Sequence, residues 1–152
     1  MFDFQGTFTS VDSTCTYKTD RDWPNDRHAP QSSVLLVDDD ADSLLLLAVI
    51  FEQFPCSVVC ETAGELALRR LEQRKFDLVM LDIQLPDISG LDVVRQLRQN
   101  PLLTTLPVVA VTAMARPQDE QESLLAGCDR YISKPYLIED IEKVARQFIL
   151  QP

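Results

Sequence analysis

Five short apolar runs alternate with five helical patterns between residues 33 and 150, and few architectures accommodate that rhythm. The runs fall at 34–37, 57–61, 78–81, 106–111 and 130–133. Those at 34–37 (Val-Leu-Leu-Val) and 78–81 (Leu-Val-Met-Leu) are apolar without interruption, as suits strands buried on both faces of a parallel sheet. The connections are short, so the crossovers must be right-handed and the helices must cover both faces of one parallel sheet. The fold class is therefore α/β, with no internal repeat.

Helix boundaries are marked by breakers and caps. The first helix starts near Ala41 or Asp42 and is stopped by Pro55. Its packing face is expected to carry Leu46, Leu47, Ile50, Phe51 and Phe54, leaving Leu45 and Val49 on the wet face. Thr62 is placed to cap the second helix, 63–75, and Asn100-Pro101 closes the third, 91–99. Gly127 sits just beyond the fourth, 118–126, as a C-terminal cap, and the fifth covers 137–150.

Residues 1–32 contrast with this regularity. They are rich in Thr, Ser, Asp and Asn, contain Pro24 and Pro30, and show no sustained periodicity, so a disordered or loosely docked extension is expected. Residues 33–152 form the folded domain on this reading. The only histidine, His28, lies in the extension and reads as a solvated side chain.

The formal net charge of −10 leaves no basic stripe to neutralise phosphates, which argues against a nucleic-acid surface. The start of the chain lacks the basic and apolar regions of a secretory signal, and the longest apolar run, 44–51, is too short to span a bilayer. The four cysteines, Cys15, Cys56, Cys60 and Cys128, lack zinc-type spacing and read as reduced thiols of a cytoplasmic protein.

In a parallel sheet the carboxyl ends of the strands share one edge. The first strand delivers Asp38 and Asp39 there, the third Asp82, the fourth Thr112 and the fifth Lys134. Three crowded carboxylates repel unless a cation intervenes, and Mg²⁺, which takes oxygen ligands and keeps waters, answers that need. A phosphoryl group on Asp82 could then be held by the cation, Lys134 and the Thr112 hydroxyl. This points to an aspartyl-phosphate with Asp82 as nucleophile, and no core His, Cys or Ser offers a rival with a nearby base.

The motifs Leu35-Leu-Val-Asp38-Asp39-Asp40, Asp77-Leu-Val-Met-Leu-Asp82-Ile-Gln-Leu-Pro86, Val108-Val-Ala-Val-Thr112-Ala113 and Tyr131-Ile-Ser-Lys134-Pro135 are individually weak. In this order and spacing they are specific, and the chain from about Ser33 to Gln151 resembles the receiver domain of two-component response regulators, such as the single-domain chemotaxis regulator. The resemblance implies a flavodoxin-like, doubly wound sheet of five parallel strands in the order 2-1-3-4-5. It implies Asp82 as phosphoacceptor, and Mg²⁺ held by Asp39, Asp82 and the Gln84 carbonyl, with Asp38 acting through water. It also implies Thr112 as switch hydroxyl, Tyr131 as the aromatic that follows it inward, Lys134 as the phosphoryl contact and a cis Lys134-Pro135 bond. Gln84 and Met114 take the positions expected to tune hydrolysis of the phosphate.

The function expected is that of a stand-alone response regulator, which catalyses only its own phosphorylation and dephosphorylation. Its phosphodonor would be a histidine kinase or histidine phosphotransfer protein, docking on a patch around Leu45 and Val49. Its output would be a phosphorylation-shifted surface of the fourth helix, fifth strand and fifth helix, which binds a downstream protein or a second copy of the chain. Two rival readings fit the sequence less well. A haloacid-dehalogenase-type phosphatase needs a second Asp where Gln84 stands, and a cap for which there is no length. A phosphorylation-independent adaptor would have little use for the complete residue set.

Overall fold

The computed structural model describes residues 32–150 in full, together with the backbone of Phe8–Val11 and Thr14–Tyr17. Five strands, β3 (Ser32–Val37), β4 (Cys56–Glu61), β5 (Leu78–Leu81), β6 (Val108–Thr112) and β7 (Arg130–Ser133), pair in parallel in the order β4-β3-β5-β6-β7. Five helices connect and flank them: α1 (Ala41–Phe51), α2 (Gly64–Gln73), α3 (Gly90–Gln99), α4 (Pro117–Ala126) and α5 (Ile138–Phe148). Counting the parallel strands along the chain, this is the order 2-1-3-4-5 expected above.

The sheet is wider than expected. β1 (Phe8–Val11) and β2 (Thr14–Tyr17) pair antiparallel, and β2 adds antiparallel to the free edge of β4, with Cys15 opposite Cys60 and Tyr17 opposite Val58. These two strands lie in the segment expected to be a disordered or loosely docked extension, and they extend the sheet to seven strands. The physical reason is local. Phe8, Thr9, Val11, Thr14, Thr16 and Tyr17 have high strand propensity, and β4 would otherwise present a row of unpaired backbone groups. Phe2, Phe4, Trp23 and His28 lie outside the described residues.

Alternation within β3 divides the core in two. Val34 and Leu36 join Leu44, Leu47, Phe51, Ile141 and Val144 on the α1/α5 side. Leu35 and Val37 join Ala67, Leu71, Val93, Val94 and Leu97 on the other side. Both faces of the strand are apolar because both are covered. The expected packing face holds at Leu47, Ile50, Phe51 and Phe54, and Val49 faces solvent as expected, but Leu46 is 45% exposed, Leu44 is buried in its place and Leu45 is half-buried. The apolar run 44–51 is nearly continuous, so periodicity alone could not choose its inner face.

Two joints position the functional edge. The α2 N-terminus is capped not by Thr62 but from across the molecule, where the Asp87 carboxylate accepts from the backbone N–H groups of Gly64 (2.9 Å) and Glu65 (2.8 Å). At the start of α3, Gly90 packs directly on the backbone that follows β5. A Cβ there would lie 2.7 Å from the Ile83 Cα and closer still to the Asp82 carbonyl oxygen. Gly90→Ala must push that backbone away, and we expect a loss of roughly 2 kcal/mol of stability by urea unfolding, of the size that overpacking a tight site costs.

Candidate functional site

The crevice lies where the strand order reverses, outside the carboxyl ends of β3 and β5. Asp38 and Asp39 follow β3 directly, Asp82 follows β5, Thr112 ends β6, and Lys134 follows β7. The structure brings Asp38, Asp39, Asp82 and Lys134 together. One carboxylate oxygen from each of the three Asp residues lies within 4.8 Å of the others. Lys134 Nζ donates to Asp38 Oδ2 at 2.6 Å and to Asp82 Oδ2 at 3.2 Å. Asp38 and Asp82 are buried and Asp39 is exposed.

Backbone geometry fixes these groups. Asp38 Oδ1 accepts from the Asp40 N–H at 2.9 Å, and Asp82 Oδ1 from the Gln84 N–H at 3.0 Å. The Gln84 side chain is exposed, so its relevant group here is the main chain. Thr112 is fully buried, and its Oγ1 accepts from the Met114 N–H at 3.3 Å. The Lys134-Pro135 bond is cis. The Tyr131 hydroxyl is buried beside Thr112 and Met114 and has no hydrogen-bond partner.

Burial pushes the Asp38 carboxyl above the usual carboxylate range, against the hydrogen bond from Lys134, and the charge of Asp82 adds to the upward push. Burial works against the charge of Lys134, but the hydrogen bond to Asp38 and the charges of Asp38 and Asp82 raise it overall. One ammonium thus serves two buried carboxylates. The remaining negative charge, with Asp39 at the mouth, makes a donor set of hard oxygens suited to a divalent cation such as Mg²⁺.

Sequence reasoning missed the linking roles of Ser43 and Asp87. Asp40 reads as solvated acid or a helix N-terminal charge, and the second holds: its Oδ2 caps α1 by accepting from Ser43 N (3.2 Å) and Ser43 Oγ (2.7 Å). Ser43 Oγ in turn lies 3.4 Å from Lys134 Nζ, so the cap also supports the lysine. Asp87 ties the loop after β5 to α2, and only its place between Pro86 and Gly90 hinted at a turn role. The thiols of Cys56 and Cys128 take no part: burial pushes both up to about 12.

A family model, the response regulator receiver domain, matches residues 34–146. The chain belongs to this family. It is 32% identical over 117 residues to the polar-differentiation response regulator DivK of Brucella ovis, covering 77% of this chain and 95% of that protein. It is 34% identical over 108 residues to a probable cyclic di-GMP phosphodiesterase of Vibrio cholerae, covering 71% of this chain but only 24% of that longer protein. Among solved structures it resembles a putative response regulator from Chloroflexus aurantiacus, with a TM-score of 0.74 and 26% identity over 79% of this chain and 98% of that one. The receiver is thus a signalling domain rather than a metabolic catalyst, and among the described residues no helix is long and apolar enough to cross a membrane.

The raised Asp38 has a consequence for stability. A carboxyl that holds its proton more tightly when folded binds more protons than the unfolded chain as pH rises above its ordinary value of 3.8. Its stabilising contribution is therefore complete below that value and is lost as pH rises through the folded value. Removing the titrating group with Asp38→Asn should make the receiver progressively more stable than wild type as pH climbs from 4 to 7. Urea midpoints measured across that range without divalent ions check this.

Proposed function

We propose that this receiver accepts a phosphoryl group on Asp82 from a histidine kinase or histidine phosphotransfer protein and signals through a shifted protein-binding surface. The observation that carries the reading is Lys134 placed between Asp38 and Asp82, which leaves a carboxylate at a strand end with a cation beside it. In the transfer, an Asp82 oxygen forms the new P–O bond as the donor's P–N bond breaks, and the electron pair leaves on the imidazole nitrogen. Lys134 releases part of its hold on Asp82 and contacts a phosphoryl oxygen, while the Thr112 hydroxyl turns to donate to another. Asp39, Asp82 and the Gln84 carbonyl are the groups to hold Mg²⁺ directly, with Asp38 through water. Bound there, the ion would neutralise the charge that builds up on the transferring group.

The output in this reading is a population shift: phosphorylation stabilises the arrangement in which Thr112 and Tyr131 are drawn toward the site. The face of α4, β7 and α5 is the proposed surface for a downstream partner or a second copy of the chain. Its exposed apolar side chains include Leu124, Leu125, Leu137 and Ile138. Residues 33–152 form the receiver unit of this proposal, with 1–32 as an extension that lends two strands to its edge. A stand-alone regulator is supported by the 95% coverage of DivK, and a cytoplasmic site of action by the histidine-based donor.

Acetyl phosphate with Mg²⁺, followed by intact mass, tests the chemistry. Wild type should gain one phosphoryl group, and neither Asp82→Asn nor wild type without Mg²⁺ should gain any. A folded, Mg²⁺-binding wild type that gains nothing would favour the phosphorylation-independent adaptor. The kinase-docking patch is assigned to Leu46 and Val49 in place of Leu45 and Val49, because Leu45 is half-buried whereas Leu46 and Val49 face solvent. Leu46→Glu with Val49→Glu should slow transfer from the cognate kinase at least about tenfold, as loss of a docking anchor does, and leave acetyl phosphate labelling unchanged. Equal loss of both rates would sink the assignment.

A further inference from the structure

Beside the switch lies a polar arrangement that the phosphoryl chemistry does not use. The Asp119 side chain, in the first turn of α4, is 5% exposed. It is held from outside by Arg116, which is 73% exposed. Asp119 Oδ2 accepts from the Arg116 backbone N–H (3.0 Å) and Nε (3.1 Å), and Oδ1 accepts from Nη2 (3.0 Å). Two carboxylate oxygens offer about four lone-pair sites, so Oδ1 keeps one to spare.

Asp119 and Tyr131 line the same small cavity, of about 10 Å³. Thr112 and Ser123 also line it, with Ile83 and Leu91 as apolar walls. Its volume is at the size needed for one water. Tyr131 Oη is, among the described residues, the buried side-chain polar atom without a partner. Leaving it so would cost about 1–3 kcal/mol. The other candidates to receive its proton are poorer. Ser123 Oγ is neutral and bonded to the Asp119 carbonyl at 2.8 Å, Thr112 Oγ1 is turned to Met114, and Glu122 is exposed and solvated. A carboxylate is the stronger acceptor. Consistently, burial raises the Tyr131 phenol, and the charges of Asp119 and Glu120 raise it further.

We propose that Asp119 is a positioning residue of the switch: through one water in this cavity its carboxylate accepts from the Tyr131 hydroxyl and holds the ring inward, with Arg116 as its counter-ion. This rests on the reading that Asp82 signals through Thr112 and Tyr131. The exposed Arg116 guanidinium puts the same network within reach of whatever binds the α4 face.

The test uses the full chain labelled with 3-fluorotyrosine, with the Tyr131 resonance assigned by Tyr131→Phe. In Asp119→Ala the resonance should move to the position of a solvent-exposed ring, while Asp119→Asn, whose amide oxygen still accepts, should largely restore it. Arg116→Met should leave Tyr131 inward, since the carboxylate remains. A folded Asp119→Ala with an unmoved resonance overturns the proposal. So does an Arg116→Met that displaces Tyr131 equally, because the role would then be that of the helix cap alone. If Asp119→Ala does not fold, the alkaline titration of Tyr131 in Asp119→Asn decides: its midpoint must fall below that of wild type, and an unchanged one overturns the proposal. In acetyl phosphate labelling, Asp119→Ala should slow phosphorylation about threefold in wild type and have no effect on Tyr131→Phe, the signature of coupled residues. Additive losses count against it. A wild type that takes no phosphoryl group defeats the parent reading while the unphosphorylated resonance still decides Asp119.

Discussion

One lysine between two buried aspartates governs the functional end of this molecule. Lys134 reaches from the end of β7 across β6 to groups at the ends of β3 and β5, and the parallel strands bring these carboxyl ends to one edge. The pair Asp38 and Asp82 could not be buried side by side as free anions, since desolvation and mutual repulsion both oppose it. The ammonium relieves part of that strain and leaves part in place. A site with an excess of negative charge and one movable cation is poised to take up a divalent ion and, once the ion is there, an anionic group.

The surrounding backbone is built to keep these atoms still. Gly90 lets α3 start against the Asp82 carbonyl, Asp87 ties the next part of the loop to α2, and Asp40 caps α1 while Ser43 supports the lysine. Each contact is local, yet each binds a different helix to the same edge. Function at such an edge depends on groups held to within a fraction of an ångström, so helix starts rather than strand interiors determine its precision.

The strands and their polar ends were legible because both signals are dense in the sequence. Unbroken apolar runs such as 34–37 and 78–81 leave no choice of face, and a parallel sheet then places Asp38, Asp82, Thr112 and Lys134 without further information. Where two arrangements have similar local cost, the sequence was silent. In α1 the near-continuous apolar run 44–51 hid which of Leu44 and Leu46 turns inward, because the decision depends on what α5 and β3 present. The cap on α2 was invisible for the same reason: Asp87 lies 23 residues from Gly64, and Thr62 was the nearer candidate. The strands at 8–11 and 14–17 are four residues each in a polar segment, and their pairing follows from the open edge of β4 rather than from their own periodicity.

The position of Thr112 joins these observations. Its backbone belongs to β6, its carbonyl accepts from the Lys134 N–H at 2.8 Å, and its side chain lines the Tyr131 cavity. In the proposed switch, a rotation of the Thr112 hydroxyl toward Asp82 would change the space and polarity that Tyr131 meets, with no need for the sheet to move. Rigid strands and a small, nearly filled cavity thus favour discrete rearrangement over gradual deformation, since close-packed interiors tolerate few intermediate positions. On the proposed reading, the ease with which the receiver signals depends on how strongly α4 holds the Tyr131 ring as well as on the chemistry at Asp82.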